Sequence, residues 1–433
     1  QQEQQRAEVA AAAKLSGADE AKGQKEGQKD SAAAVAAAAA VTAKGVNGLG
    51  NIAEIRRKLE DERNKLRLWV IKAKQEWEER QDRGARTSGV TNEEEYYMAS
   101  VGELLGPERG YKVEASIGKG VFSSVFRCTS TSGSSEYAVK FVRSNTMMRR
   151  AAEKEVETYR RLAKEVPKQD PEAAAYIMLL AGSETFQHMG HLCMVFELQR
   201  CDLRSALQKY GQGRGLPLQT VAQYSKQIFF ALRALRKLSL IHGDLKPDNL
   251  LMSMAKTEVK LCDFGSAMDV AERVNTPYLQ PRYYRAPEVM TGSAYDTQID
   301  VWSAGITLFE LGTGKILLTG KTNNAMLRQM LEVSGAIPKR IATAGSCSAK
   351  HFDADGNFLC RDPDSMTGLP EPMPMRRFSP PPHPVSQFFQ RVLRDPPPNA
   401  NAKTQEKLLP KLSELVAGCL LLDPSERFTP EQA

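Results

Sequence analysis

The feature that most limits what this chain can fold into is a change of period near Asp202. Before it, 111–117, 123–128 and 137–142 are short β-branched or aromatic runs parted by glycine-containing turns, which is strand patterning. A helical pattern follows over about 148–166, then one more strand over 192–197. After it, SALQKY, VAQYSKQIFFALRALRKL and VWSAGITLFELGTG carry helical periodicity. A small β-rich lobe over about 111–199 therefore precedes a larger α-rich lobe over about 200–433, and the expected class is α+β. Between about 341 and 402 the chain turns to Pro, Gly, Asp and Met, including FSPPPHP and DPPP, and reads as a long irregular insertion. Its proline runs suit either a ligand for another domain or a solvated loop.

Ahead of residue 111 three stretches differ. Residues 1–50 are rich in Ala, Gln, Lys, Glu and Gly and cannot bury enough apolar surface to offset ordering entropy, so they read as a disordered tail, with transient helicity as the alternative. From Asn51, a suitable N-cap, to Gly84, the residues Ile52, Ile55, Leu59, Leu66, Trp69, Ala73 and Trp77 recur at spacings of three, four or seven. That predicts an amphipathic helix over 51–84, able to dock on a partner or on the chain's own globular part, or packed against nothing specific. Residues 85–110 read as a linker.

A formal charge of +7, from 59 Lys and Arg against 52 Asp and Glu, is mild over 433 residues and does not by itself imply nucleic acid. Basic residues in the tail alternate with acidic ones and lack interleaved aromatics, which weakens direct RNA binding further. Seven scattered cysteines and five histidines form no C-x-x-C pair or cluster, so zinc and a disulfide scaffold are not expected. No apolar run approaches the roughly 18 residues of a membrane helix. An opening Gln1, and an end at Ala433 soon after DPSERF, are what an excerpt would show, so a missing targeting signal carries little weight.

Ile117-Gly118-Lys119-Gly120-Val121-Phe122-Ser123 lies between two expected strands, where glycines let backbone approach phosphates; alone it is a weak signal that a tight hairpin fits better. Lys140, amid apolar neighbours in the third strand, needs a countercharge if buried, and Glu155 in the following helix is the candidate; a surface lysine is the alternative. The strongest signal is IHGDLKPDN over 241–249, then LCDFG over 261–265 and RAPE over 285–288. A carboxylate to accept a hydroxyl proton (Asp244), a lysine near a transferred phosphate (Lys246), and an amide with a second carboxylate to hold Mg²⁺ (Asn249, Asp263) meet the needs of phosphoryl transfer.

With these strings in this order, 111–433 resembles the eukaryotic protein kinase family, bilobal, with a long insertion in its C-lobe. Lys246 two places after Asp244 resembles the serine/threonine class. DFGSA and TPYLQPRYYRAPE resemble the branch of cyclin-dependent, mitogen-activated and dual-specificity tyrosine-regulated kinases. CMVFELQRCDLRSAL, TGKILLTGKTNNAMLRQM and HFDADGNF are similar to its pre-mRNA-processing kinases, with the dual-specificity relatives as the alternative. The resemblance implies ATP and Mg²⁺ as cofactors and nuclear spliceosomal proteins as substrates and partners. It also implies only indirect association with RNA, no membrane, and a monomer outside an assembly.

By the same resemblance Ile117, Gly118 and Gly120 would cover the nucleotide, and Val125 and Ala138 would pack on adenine. Lys140, fixed by Glu155, would hold phosphates. Phe196 would gate the pocket, the backbone of Glu197 and Gln199 would form the hinge, and Asp202 would meet ribose. Asn249 and Asp263 would ligate Mg²⁺, Glu288 would pair with Arg427, and Asp300 would brace the catalytic loop. Gly243 stands where many kinases carry an arginine that reads an activation-segment phosphate. Tyr278 matches the tyrosine that the dual-specificity relatives autophosphorylate, and its phosphate could pair with Arg282 or Arg285. A scaffold that acts through its helix is the competing reading; such proteins usually lose Lys140, Asp244 or Asp263, all present here.

Overall fold

Period-two patterning and glycine-bearing turns give an antiparallel sheet of six strands in the order β1-β2-β3-β4-β6-β5. These are β1 (Leu104–Leu105), β2 (Tyr111–Lys119), β3 (Ser123–Ser130), β4 (Glu136–Val142), β5 (Leu180–His188) and β6 (His191–Glu197). The computed structural model describes residues 49–82, 95–274, 276–361 and 369–433. The tail expected over 1–50, except 49–50, lies outside them, as do 83–94 and 362–368.

Two units divide the chain, 1–62 and 63–433. Described residues of the first are 49–62, the start of helix α1 (Leu49–Asp82). Everything below concerns the second.

Register across the sheet sets the site. Gly118 faces Val125, Val125 faces Lys140, and Lys140 faces Met194, so one row runs from the glycine turn to the sheet centre. Between β4 and β5 runs α2 (Thr146–Gln169), capped by Asn145, whose side chain accepts from the Met147 amide. Met148, Ala152, Glu155, Val156, Tyr159, Leu162 and Val166 form its buried face. Glu155 is the one carboxylate in that stripe.

The larger lobe packs around α4 (Gln298–Thr313), buried almost all round, as its continuous apolar sequence requires. Around it lie α3 (Leu218–Lys237), α5 (Asn323–Ser334), α6 (Val385–Arg394) and α7 (Ala402–Cys419). Glu288, 1% exposed, pairs with Arg427 at 2.8 and 3.1 Å, as expected. The lobes are tied behind the cleft. Asp170, at the end of α2, accepts from Arg233 Nε at 2.6 Å and Lys237 Nζ at 2.9 Å on α3. Close by, the Met178 amide donates to the Leu261 carbonyl at 2.8 Å.

Three expectations change. Strands β1 and β5 were not legible: β1 is two residues long, and β5 (LAGSETFQH) contains Gly182 and a register shift between Leu180 and Thr185. The described part of the expected linker, 95–110, belongs to the small lobe. Tyr97 stacks on Phe141 at 4.6 Å and β1 pairs with β2. The insertion is not irregular throughout, for it holds a short hairpin, Phe358–Cys360 with Glu371–Met373, and α6. Phe352, Phe358 and Phe378 cluster beneath the hairpin, each fully burying a ring worth about 1.5–3 kcal/mol.

Candidate active site

Between the lobes lies a cavity of about 800 Å³. Every expected nucleotide-side residue lines it: Ile117, Gly118, Gly120, Val125, Ala138, Lys140, Phe196, Glu197, Gln199 and Asp202. So do Glu155, Asp244, Lys246, Asn249 and Asp263. Tyr278, Arg282, Arg285 and Glu288 lie outside it, on the segment after Asp263.

Lys140 Nζ meets Glu155 Oε1 at 2.8 Å and Oε2 at 2.9 Å, the countercharge that the sequence required. It also lies 3.4 Å from Asp263 Oδ1. Burial works to lower the Lys140 pKa, but Glu155 and Asp263 outweigh it and hold it at about 12, so the ammonium stays charged. Glu157, one turn position away, is exposed.

The loop after strand β7 (Leu240–Ile241) is held from beneath by Asp300 on α4, whose carboxylate accepts from the His242 amide at 2.7 Å and the Gly243 amide at 3.0 Å. His242 Nε2 lies 2.9 Å from the Cys262 carbonyl, and its Nδ1 accepts from the Asp244 amide at 3.2 Å. Asp244 is thereby aimed into the cleft, with Lys246 Nζ 3.2 Å from its Oδ1. Burial disfavours its ionised form, yet Lys246 and Lys74 together depress its pKa below the usual carboxylate value. Asp263 has φ 60°, a left-handed conformation that costs a non-glycine residue about 1–3 kcal/mol. Phe264 beside it is buried between His242 at 5.1 Å and Tyr159 at 5.4 Å, and Tyr159 in turn meets Phe196 at 5.2 Å. This aromatic file through both lobes holds the turn.

Asn249 donates from Nδ2 to the Asp244 carbonyl at 2.8 Å, which leaves its oxygen as the amide's acceptor. No group of three or more His, Cys, Asp or Glu suited to a metal occurs among the described residues. That donor set fits Mg²⁺, which is held by one or two carboxylates together with substrate phosphates rather than by an all-protein cage. A cation already sits there: Lys74 Nζ, from α1, lies 2.8 Å from Asp244 Oδ2 and 3.1 Å from Asp263 Oδ2.

Two residues also make contacts that the sequence reading did not anticipate. Asp202 accepts from the Ser205 amide and hydroxyl, both at 2.7 Å, as the cap of a short helix. Arg285, 2% exposed, donates to the carbonyls of Leu279 at 2.9 Å and Gln280 at 2.9 Å and to Asn323 at 2.8 Å, so it is a structural strut. Lys74 went unread because the sequence marks only the apolar stripe of its helix, with Lys, Arg and Glu filling the other positions. No local signal distinguishes it from Lys72.

The protein kinase domain family matches residues 111–433, and the chain belongs to that family. Its curated relatives are serine/threonine kinases. Serine/threonine-protein kinase prp4 of Schizosaccharomyces pombe is 37% identical over 342 residues, which cover 78% of this chain and 68% of the relative. Serine/threonine-protein kinase prpf4B of Dictyostelium discoideum is 35% identical over 78% of this chain but only 40% of its own length. Homeodomain-interacting protein kinase 2 of Mus musculus is 32% identical over 62% of this chain and 22% of its own. The chain thus carries a serine/threonine protein kinase domain related to the prp4 kinases.

Proposed function

We propose that the protein transfers the γ-phosphoryl group of ATP, with Mg²⁺, to serine or threonine hydroxyls of nuclear pre-mRNA splicing proteins as the spliceosome is activated. The convergence of Asp244, Lys246, Asn249, Asp263 and the Lys140–Glu155 pair on one cleft carries the reaction class. Relatedness to prp4 supports the substrate class.

Gly118 and Gly120 roof the cavity where backbone can approach phosphates closely. Lys140 holds phosphate oxygens and is itself positioned by Glu155. Asn249 and Asp263 would hold Mg²⁺, which would supply positive charge to offset that on the transferring group. Asp244 orients the substrate hydroxyl. It also accepts the hydroxyl proton as the new bond to phosphorus forms. Lys246 neutralises charge on the group in flight. Tyr278, 51% exposed, is open to autophosphorylation, and its phosphate would pair with Arg282 or Arg285.

The test is transfer from labelled ATP with Mg²⁺ to a Ser/Thr-rich splicing-factor segment, with Asp263→Ala as control. Transfer by the parent alone supports the reading. Equal transfer by the Asp263→Ala protein would sink it.

A further inference from the structure

From Arg63 onward α1 packs against the kinase body. Leu66, Val70 and Ile71 are buried, at 8, 5 and 6% exposure, between α2 and the start of the activation segment. Trp69 meets Phe122 of the glycine turn at 6.0 Å, and Arg63 and Arg67 both pair with Glu272. The outcome of this seating is Lys74, whose ammonium touches Asp244 and Asp263 at once. Burial works to lower its pKa, but the two carboxylates hold it well above its ordinary value.

We propose that residues 63–75 form an autoinhibitory strap, in which Lys74 takes the place of the divalent cation and must withdraw before Mg²⁺-nucleotide binds productively. It rests on the reading of Asp263 as a metal holder. The rest of the catalytic frame is already assembled under the strap, since the Lys140–Glu155 pair is closed and Phe264 is seated. Release therefore requires the strap to leave and no rearrangement of α2.

The seat is built to be left. It sets Arg63, Arg67 and Lys154 around Glu272, and Lys154 Nζ is buried with no hydrogen-bond partner among the described residues. Burial, then Arg67 and Arg63, push the Lys154 pKa down to about 8. Departure of α1 relieves that crowding, while Asp244 keeps Lys246 and Asp263 keeps Lys140. An added cation between the two carboxylates competes directly with Lys74.

The test uses the 433-residue chain, Mg²⁺ and a non-hydrolysable fluorescent ATP analogue at equilibrium, so that binding is read without turnover. If the open form is a minority of about a tenth, Lys74→Met lowers the half-saturating Mg²⁺-nucleotide concentration about tenfold. Lys74→Arg should stay near the parent, and Val70→Asp, which lifts the helix by another route, should follow Lys74→Met. Saturating Mg²⁺-nucleotide should also speed amide exchange across 63–75 in the parent. Equal binding by parent and Lys74→Met, or weaker binding by Lys74→Met, would overturn the strap, as would unchanged exchange at saturation. Absence of Mg²⁺-nucleotide binding in every variant would overturn the kinase reading and the strap together.

Discussion

Asp263 is approached by two lysines from two regions built on different principles. Lys140 is fixed in the centre of a sheet, paired on both sides, with Glu155 buried at 5% exposure as its counterpart. Lys74 arrives on a helix laid over the lobe surface, anchored by three buried aliphatic side chains and a shared ion pair. One contact belongs to the core and the other to a removable cover. Lys74 and Lys140 are equally sheltered, each 16% exposed, so the difference lies in whether the lysine is part of the sheet or is delivered by a separate helix.

The largest effect expected is on Asp244, which Lys74 touches and Lys140 does not. Asp244→Asn should lower kcat by about 10²–10⁴, read by steady-state kinetics at saturating nucleotide, with the unfolding midpoint nearly unchanged. A comparable fall in midpoint would show that the loop depends on that carboxylate for folding. Next is the contrast in permanence. Lys140→Met strands Glu155 and should cost about 3–5 kcal/mol in denaturant unfolding, while Lys74→Met should cost less, because Asp244 keeps Lys246 and Asp263 keeps Lys140. Equal costs would erase the distinction between core and cover.

Acid offers a third region for comparison. His351, in the insertion, has its pKa lowered to about 4 by burial and then by Arg361 and Lys350, and Asn324 meets its Nδ1 at 3.2 Å. The unfolded chain binds a proton near pH 6.5 that the folded one refuses. This contribution is fully present above 6.5 and is lost as pH falls towards about 4, by at most about 3 kcal/mol. His351→Gln should flatten the slope of Tm against pH in that window, and an unchanged slope would remove His351 as its source. Smallest is Trp69→Ala, which loses the ring contact with Phe122 and should cost about 0.5–1.5 kcal/mol, seen as faster amide exchange in α1 before any change in global unfolding.

Much of the kinase body could be read in advance because local rules and global fold agree there. IHGDLKPDN and LCDFG place their chemistry on short, tightly turned segments, and Lys140 needed a countercharge that the buried face of α2 supplies through Glu155. What escaped was set by partners distant in sequence. Strand β5 forms through pairing with β6 despite weak alternation, and the insertion is ordered by phenylalanines twenty residues apart, Phe358 and Phe378. Asp202 fitted the resemblance, yet its cap on Ser205 was equally available from the D-x-x-S spacing. Lys74 was beyond reach, because helical periodicity reports which face is apolar and not which flexible side chain at its edge reaches a carboxylate some 170 residues away.

The tie of Asp170 to Arg233 and Lys237, with the Met178 amide on the Leu261 carbonyl, fastens the lobes behind the cleft, and Arg161 adds a second tie to Asp269 and the Leu238 carbonyl. Bodies fastened along the rear of a cleft rock open at its mouth rather than slide past one another. Asp170 is then a fulcrum, and the glycine turn at Gly118 and Gly120, across the sheet from it, travels farthest for a given swing. A nucleotide's route in and out becomes a question of leverage, which a pair of fluorescent labels on the turn and on α3 would follow, and which Arg233→Ala should turn from a hinge swing into a loose slide.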